Sequence, residues 1–238
     1  MPFRGIETRD LLERWPGLYV RVARLRHGER VLGPGTDLVI EGFPRSANTF
    51  AVTAFQLAQT DPVHVAHHLH SSGHVIAAAA RGVPALLIVR APRDAVVSSV
   101  LRKPSLAVEG VAGRYASFHE PLVPLIGRIE IASFEQVTTD FGAVIDRLNQ
   151  RYGTAYVRFD HTPEATAAVF ERIDALSRRR TGELDGRVVA RPDDAKRDDA
   201  ERLRERYDAL PAAQRQVLDD LHRRLVPTLT DPPHHADN

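Results

Sequence analysis

The sequence predicts a three-layer α/β protein built on a central, mainly parallel sheet with outer C-terminal helices. Two apolar runs, Leu38-Val39-Ile40 and Leu86-Leu87-Ile88-Val89, are short and continuously apolar, as in strands covered on both faces. Each run leads into a turn carrying a basic residue and hydroxyls at the start of a helical pattern: Gly42 to Phe50 after the first, Arg90 to Ser98 after the second. From Glu164 to Arg180 and from Asp199 to Leu225 the periodicity is helical and heavily charged, as on outer helices.

Residues 7 to 27 read as two short amphipathic helices broken by Pro16-Gly17, with Leu11, Leu12, Trp15, Leu18, Tyr19 and Val22 as packing positions. After the turn at Gly33-Pro34-Gly35, Asp37 to Glu41 is the first strand. A helix over Asn48 to Gln59 buries Phe50, Ala54, Phe55, Leu57 and Ala58, and Pro62 stops it. Val63 to Ala66 is a second strand. Ser71 or Ser72 caps a helix to Arg81, closed by Gly82 at the left-handed stop position. Ala85 to Val89 is the third strand, and Pro92 and Asp94 suit the first turn of the next helix. This alternation implies parallel pairing through right-handed crossovers, with ligands at the carboxyl ends of the strands. Further on, 111 to 126 reads as helical with an interruption at Pro121 to Pro124, and Arg128 to Phe134 as a strand. Phe141 to Tyr152 is a helix ended by Gly153, Ala155 to Phe159 a further strand, and Arg187 to Arg197 a polar loop. Residues 1 to 226 are expected to form one domain, with 1 to 36 as a helical lead-in and 227 to 238 as a disordered tail.

Composition narrows the chemistry. The 238 residues are 43% hydrophobic, enough for one sizeable core. The absence of cysteine excludes disulfides and thiolate-metal sites and suits a reducing cytoplasm. No apolar stretch reaches membrane-spanning length, and the opening residues do not form a secretory signal. With 32 basic and 31 acidic residues the net charge is +1, so no global field for nucleic acid is expected and anion binding must be local.

The two turns supply that local binding. A loop of the G-x-x-x-x-G-K-[ST] kind places Lys on the phosphates and Ser or Thr on Mg²⁺. Here Ala47 and Asn48 stand where Gly and Lys are needed, Thr49 keeps the hydroxyl position, and the cation has moved forward to Arg45. The loop therefore keeps the means to cradle a tetrahedral anion but lacks the Gly-Lys pair of a loop that transfers phosphate from ATP with Mg²⁺. An ordinary strand-to-helix turn with Asn48 as N-cap is the competing reading. In the second turn, Arg90 at the strand end and Ser98 two helical turns on combine an Arg fork and a hydroxyl, which suits a phosphate monoester. Arg90 paired to a carboxylate is the alternative there, and Arg93 reads as a surface residue.

His64, His67, His68, His70 and His74 fall within eleven residues at the end of the second strand. No carboxylate lies between Asp61 and Arg81 and no spacing matches a known zinc pattern, so no metal is assigned. A single His at a strand's carboxyl end, beside an anion site, is better suited to be a general base. Strand alternation puts His68 and His70 on one side and His67 on the other.

These segments resemble the PAPS-dependent sulfotransferases, PAPS being 3′-phosphoadenosine 5′-phosphosulfate. Gly42-Phe43-Pro44-Arg45-Ser46-Ala47-Asn48-Thr49-Phe50 resembles their 5′-phosphosulfate loop, and Arg90-Ala91-Pro92-Arg93-Asp94-Ala95-Val96-Val97-Ser98 their 3′-phosphate motif. His67-His68-Leu69 is similar to the segment that carries their base, and Ser133-Phe134-Glu135 to an element after a later strand. The resemblance covers about residues 37 to 150.

It implies a P-loop-containing nucleotide-binding fold that takes PAPS as co-substrate and leaves PAP, without a metal. Arg45, Ser46, Ala47, Asn48 and Thr49 would hold the 5′-phosphosulfate, with Arg45 on the bridging oxygen. Phe50 would lie near the adenine, Arg90 and Ser98 would bind the 3′-phosphate, and His68 would be the base, with His70 its rival. Arg191, Lys196 and Arg197 are candidates to close over the 3′-phosphate. The acceptor would be a small molecule, glycan or lipid with a hydroxyl or amine. Leu106, Val108, Val111, Tyr115 and Phe118 suit either an apolar acceptor pocket or a packed helix. A P-loop small-molecule kinase and a non-catalytic nucleotide-binding protein are the alternatives.

Overall fold

The computed structural model describes residues 15–181 and 194–226, with side chains 180–181 and 194–196 left out. The helix expected before Pro16, most of the 187 to 197 loop, Arg191 and the tail from 227 lie outside the described residues.

Four strands form one sheet: β1 (Leu38–Gly42), β2 (Val65–His67), β3 (Ala85–Val89) and β4 (Glu130–Ser133), in the order β2-β1-β3-β4. Every pairing is parallel, with Ile40 opposite His67 and Leu86, and Val89 opposite Ser133. β1 and β3 are buried along their whole length. That agrees with the continuous apolar runs, because a parallel sheet is covered on both faces by its crossover helices.

Alternation along the strands divides the core in two. Val39, Leu87 and Val89 join Val20 and Ala23 of α1 (Pro16–His27), Val75 of α3 (Ser72–Ala80), Val96 of α4 (Pro92–Arg102), Tyr115 of α5 (Val108–His119) and Leu221 of the final helix (Ala212–Leu225). Leu38, Ile40, Leu86 and Ile88 join Phe55 of α2 (Asn48–Ala58), Ile145 of α7 (Phe141–Tyr152) and Val169 of α8 (Pro163–Thr181). Each Val, Leu, Ile or Phe among them contributes about 1.5–3 kcal/mol by leaving water. β4 runs directly into α6 (Phe134–Thr139), whose first turn is closed by a Ser133–Gln136 capping box. α9 is Asp194–Asp208 and α10 is Ala212–Leu225.

Several elements differ from the sequence reading. Pro16-Gly17 opens α1 rather than breaking a helix pair, consistent with Pro at a first helical position. The face of α1 that enters the core is Val20 and Ala23, leaving Trp15, Leu18 and Val22 exposed rather than packed. Burial in α2 stops after Phe55, so Leu57 is solvent-facing. Residues 111 to 126 divide into α5 and a 3-10 segment, Glu120–Leu125. The 199 to 225 periodicity breaks where Pro211 precedes α10, and residues 194 to 197 are helix rather than loop.

Ala155 to Phe159 is not a strand. Its backbone bonds are taken by side chains instead: Asn149 accepts from the Tyr156 N–H and donates to the Tyr156 carbonyl, and Gln59 does the same at Val157. Two amide side chains thus replace the neighbouring strand that a ladder would need.

Candidate functional site

β1 lies between β2 and β3, so the chain leaves β1 toward one side and returns to pair with it on the other. Ligand crevices in such sheets open where strand order reverses, here at the carboxyl ends of β1 and β3. Both turns stand at that point.

The first turn is strained and tightly packed. A Cβ on Gly42 would lie 2.5 Å from the Ile88 carbonyl oxygen and 2.7 Å from Asn48 Oδ1, so only glycine permits this approach of β1 to β3. Arg45 and Ala47 occupy the left-handed region at φ 71° and 67°. Ala47, not Asn48, is the N-cap of α2, and no side chain caps the helix. The first amides of α2 thus have no intrahelical or capping acceptor, the arrangement in which a helix N-terminus takes an anion. The Ser46 amide, expected in that cradle, donates instead to the Phe43 carbonyl at 3.2 Å. Asn48 turns back to donate to the Gly42 carbonyl at 3.0 Å. Its Oδ1 and the Ser46 hydroxyl are buried without a partner.

The second turn joins the first directly. Arg45 Nε donates to Ser98 Oγ at 3.0 Å, and Arg90 Nη1 donates to the Arg45 carbonyl at 2.9 Å. The Arg90 guanidinium lies 4.2 Å from the centroid of the Phe134 ring, and the Tyr115 hydroxyl donates to the Arg90 carbonyl at 2.8 Å. The two cations sit in different fields. Burial lowers the pKa of Arg90, but Asp94 and Glu135 act to raise it. Burial lowers that of Arg45, and the charges acting on it, Arg102 and Arg90, lower it further. Arg45 is therefore a half-buried cation, and the charges that shift it, Arg102 and Arg90, are cations.

Across the turn stand the histidines. His68 Nε2 lies 3.0 Å from Thr49 Oγ1, the exposed hydroxyl of the first turn of α2. Its Nδ1 meets His67 Nδ1, and the two rings pack edge to face. The expected division of His67 and His68 between two sides fails because the chain leaves β2 at His67 and turns left-handed at His68, φ 62°. Burial lowers both rings to a pKa of about 4, with mutual repulsion adding to the shift at His68. Both are thus neutral at pH 7 and able to accept a proton. His70, also left-handed at φ 49°, directs Nδ1 to the Gly42 carbonyl at 2.8 Å. The same nitrogen lies 3.1 Å from Asn48 Nδ2, itself a donor, so it can donate to the carbonyl or accept from the amide.

Other expected residues fall elsewhere. Phe50 is 7% exposed and packs with Phe159, His161 and Phe170, inside the core. Val108, Val111, Tyr115 and Phe118 are core residues of α5, and Leu106 packs against them, so the packed-helix reading of this group holds. Arg93 reaches from α4 to Asp208 of α9 as a half-exposed ion pair, and Arg197 is exposed on α9. Among the described residues no three His, Cys, Asp or Glu side chains gather as a metal site. No described helix is long and apolar enough to cross a membrane.

Sequence reasoning missed Glu41. Its carboxylate, fully buried, accepts from the Leu69 and His70 amides and from His74 Nδ1. The signal was present: a lone acid ending an apolar strand expected to be covered on both faces.

No protein-family model and no curated protein matches this chain. Among solved structures it is similar to mouse sulfotransferase SULT7A1 complexed with PAP, at 11% identity over 81% of this chain and 85% of that one, with a TM-score of 0.43.

Proposed function

We propose that this chain is a sulfotransferase that moves the sulfuryl group of PAPS to a hydroxyl or amine of a small-molecule, glycan or lipid acceptor. The observation that carries the reading is Arg45: a half-buried cation in the field of Arg102 and Arg90, hydrogen-bonded to Ser98 and standing at an uncapped helix start. Such a group is stabilised by a bound anion, and the motif resemblance names which one.

In this reading the acceptor oxygen or nitrogen bonds to sulfur as the bond from sulfur to the bridging oxygen breaks. Arg45 neutralises the charge that develops on that oxygen, the electrostatic contribution a preorganised donor makes best. The Asn48 and Thr49 amides hold the phosphosulfate, while Arg90 and Ser98 bind the 3′-phosphate. The acceptor's proton passes to His68 Nε2, which the geometry gives to a hydroxyl partner at 3.0 Å. Sulfuryl transfer, like phosphoryl transfer, leans on positioning and on cations at the leaving group, and Arg45 supplies the cation without a metal.

Melting the protein with PAP and, separately, with ATP and Mg²⁺ tests the reading, since a ligand specific for the folded state raises its stability. Stabilisation by PAP, followed by labelled-sulfate transfer onto a panel of phenols, sugars, lipids and peptides, is the expected outcome. Stabilisation by ATP alone would return the chain to the kinase reading.

A further inference from the structure

Two carboxylates are buried among the described residues, and they differ in kind. Glu130, at the start of β4, is neutralised by Arg147 at 2.6 Å and Arg151 at 3.1 Å, an ordinary structural ion pair between sheet and helix. Glu41, at the carboxyl end of β1, accepts instead from the segment that carries the histidines: from the Leu69 amide at 2.8 Å, the His70 amide at 3.0 Å and His74 Nδ1 at 2.9 Å. The His74 proton is fixed by its other nitrogen. Nε2 accepts from the Leu32 amide at 2.9 Å, so Nδ1 carries hydrogen and donates to Glu41.

The segment held in this way is strained. His68 and His70 both lie in the left-handed region, at φ 62° and 49°, which non-glycine residues adopt at a cost and keep only when their surroundings over-determine them. The amides Glu41 accepts from are those of Leu69, between the two strained residues, and of His70 itself. Glu41 is also one residue before Gly42, where the anion-binding turn begins. One strand end therefore carries both the anion turn and the anchor of the loop facing it.

We propose that Glu41 is a positioning residue for the base: its carboxylate pins the loop at Leu69 and His70 so that the His68 ring is presented to Thr49 across the anion turn. The proposal rests on the sulfuryl-transfer reading, in which His68 takes the acceptor's proton. The electrostatics point the same way. Burial pushes the Glu41 carboxyl up, but the His74 hydrogen bond, the fields of His74 and His70, and the Leu69 amide more than offset it, so the group is held below the usual carboxylate range. Its charge favours protonation of His68, whereas burial of that ring, His67, His70 and Arg30 all oppose it. Glu41 thus sets both where the base stands and how strong it is.

The test compares Glu41→Gln and Glu41→Asp with wild type in kcat, KM, PAP affinity by calorimetry and the His68 ring titration by NMR. Gln keeps the shape but sets an NH₂ group against backbone N–H donors and removes the charge. It is expected to lower kcat about tenfold or more, as loss of a supporting hydrogen-bond partner does, with PAP affinity kept and His68 titrating at lower pH. Asp keeps the charge but shortens the reach. It should lower kcat while His68 titrates near its wild-type pH.

A wild-type kcat with an unmoved His68 titration in Glu41→Gln overturns the proposal, and so does a loss of PAP affinity in proportion to kcat, which marks a general strut. If neither variant folds, the wild-type protein decides. The Leu69 and His70 amide resonances must move together with the Glu41 carboxyl titration, and their independence overturns the assignment. A wild-type protein that neither binds PAP nor transfers sulfate defeats the sulfuryl-transfer reading alone, because the titration arms still measure the coupling of Glu41 to His68.

Discussion

The two turns at the carboxyl ends of β1 and β3 look alike in sequence and are built differently. The second is regular: Pro92 stands at the first position of α4, no residue of the turn has positive φ, and Arg90 is placed by a ring beneath it, a hydroxyl on its carbonyl and a carbonyl acceptor ahead of it. The first is strained at Arg45 and Ala47, opens a helix without a cap and buries two polar atoms without partners. Conformational cost and unsatisfied groups gather in the turn to which the proposed reading gives the chemistry, and the regular turn supports the strained one through the Arg90 bond to the Arg45 carbonyl. On the proposed reading, the contrast gives chemistry to Arg45 and placement to Arg90.

Breaking the strained turn should have the largest effect. Arg45→Ala should lower kcat about 10²–10³-fold, the loss typical of a transition-state donor, with the melting temperature nearly unchanged. If it altered PAP affinity alone, the division of labour between the turns would be wrong. His68→Ala should cost about 10²-fold or more in kcat, as removal of a general base does. In wild type the acid limb of kcat/KM should lie near pH 4 rather than near the ordinary histidine value of 6.5, because the base must be neutral and burial has lowered its pKa. An acid limb near 6.5 would point to a histidine other than His67 or His68.

Arg90→Ala should instead weaken PAP binding about tenfold while kcat at saturation falls less, which calorimetry beside steady-state kinetics will separate. Stability should also follow the histidines. His67 and His68 titrate at about 4 in the folded chain, His119 at about 3, and all near 6.5 when unfolded. The unfolded state therefore binds more protons between these values. Their contribution is fully present above about pH 6.5 and is lost as pH falls toward 4 and then 3, which a series of denaturant melts across that range will show. The smallest effect belongs to Ala47→Gly. It relieves a left-handed non-glycine residue that costs about 1–2 kcal/mol and gives part of that back as glycine entropy, so a rise of a few degrees in melting temperature is expected.

Much of this was legible because it is local. The strands at 38 to 42 and 85 to 89, the helix from Asn48, the helix 141 to 152 with its Gly153 stop and the parallel order all follow from short-range periodicity, Pro and Gly placement, and the rule that a continuously apolar short strand is covered on both faces. The demanding backbone at Ala47 was also readable, from a single methyl where glycine is usual. The failures were non-local. Ala155 to Phe159 has the composition of a strand, but Asn149 and Gln59 took its hydrogen bonds first. The packing of Phe50 against Phe159 and Phe170 is equally non-local, and its neighbours in sequence do not announce it.

Spacing within a few residues is enough to fix the alternation of strands and helices, the strand ends at which the two turns stand and the residue types they offer. Tertiary structure decided how those residues act on one another. Arg45 meets Ser98 across 53 positions, and Glu41 holds the His70 amide across 29. Burial then sets which groups are charged, since removal from water penalises an unpaired cation or an imidazolium in proportion to what surrounds it. Those surroundings are brought together only when the sheet closes.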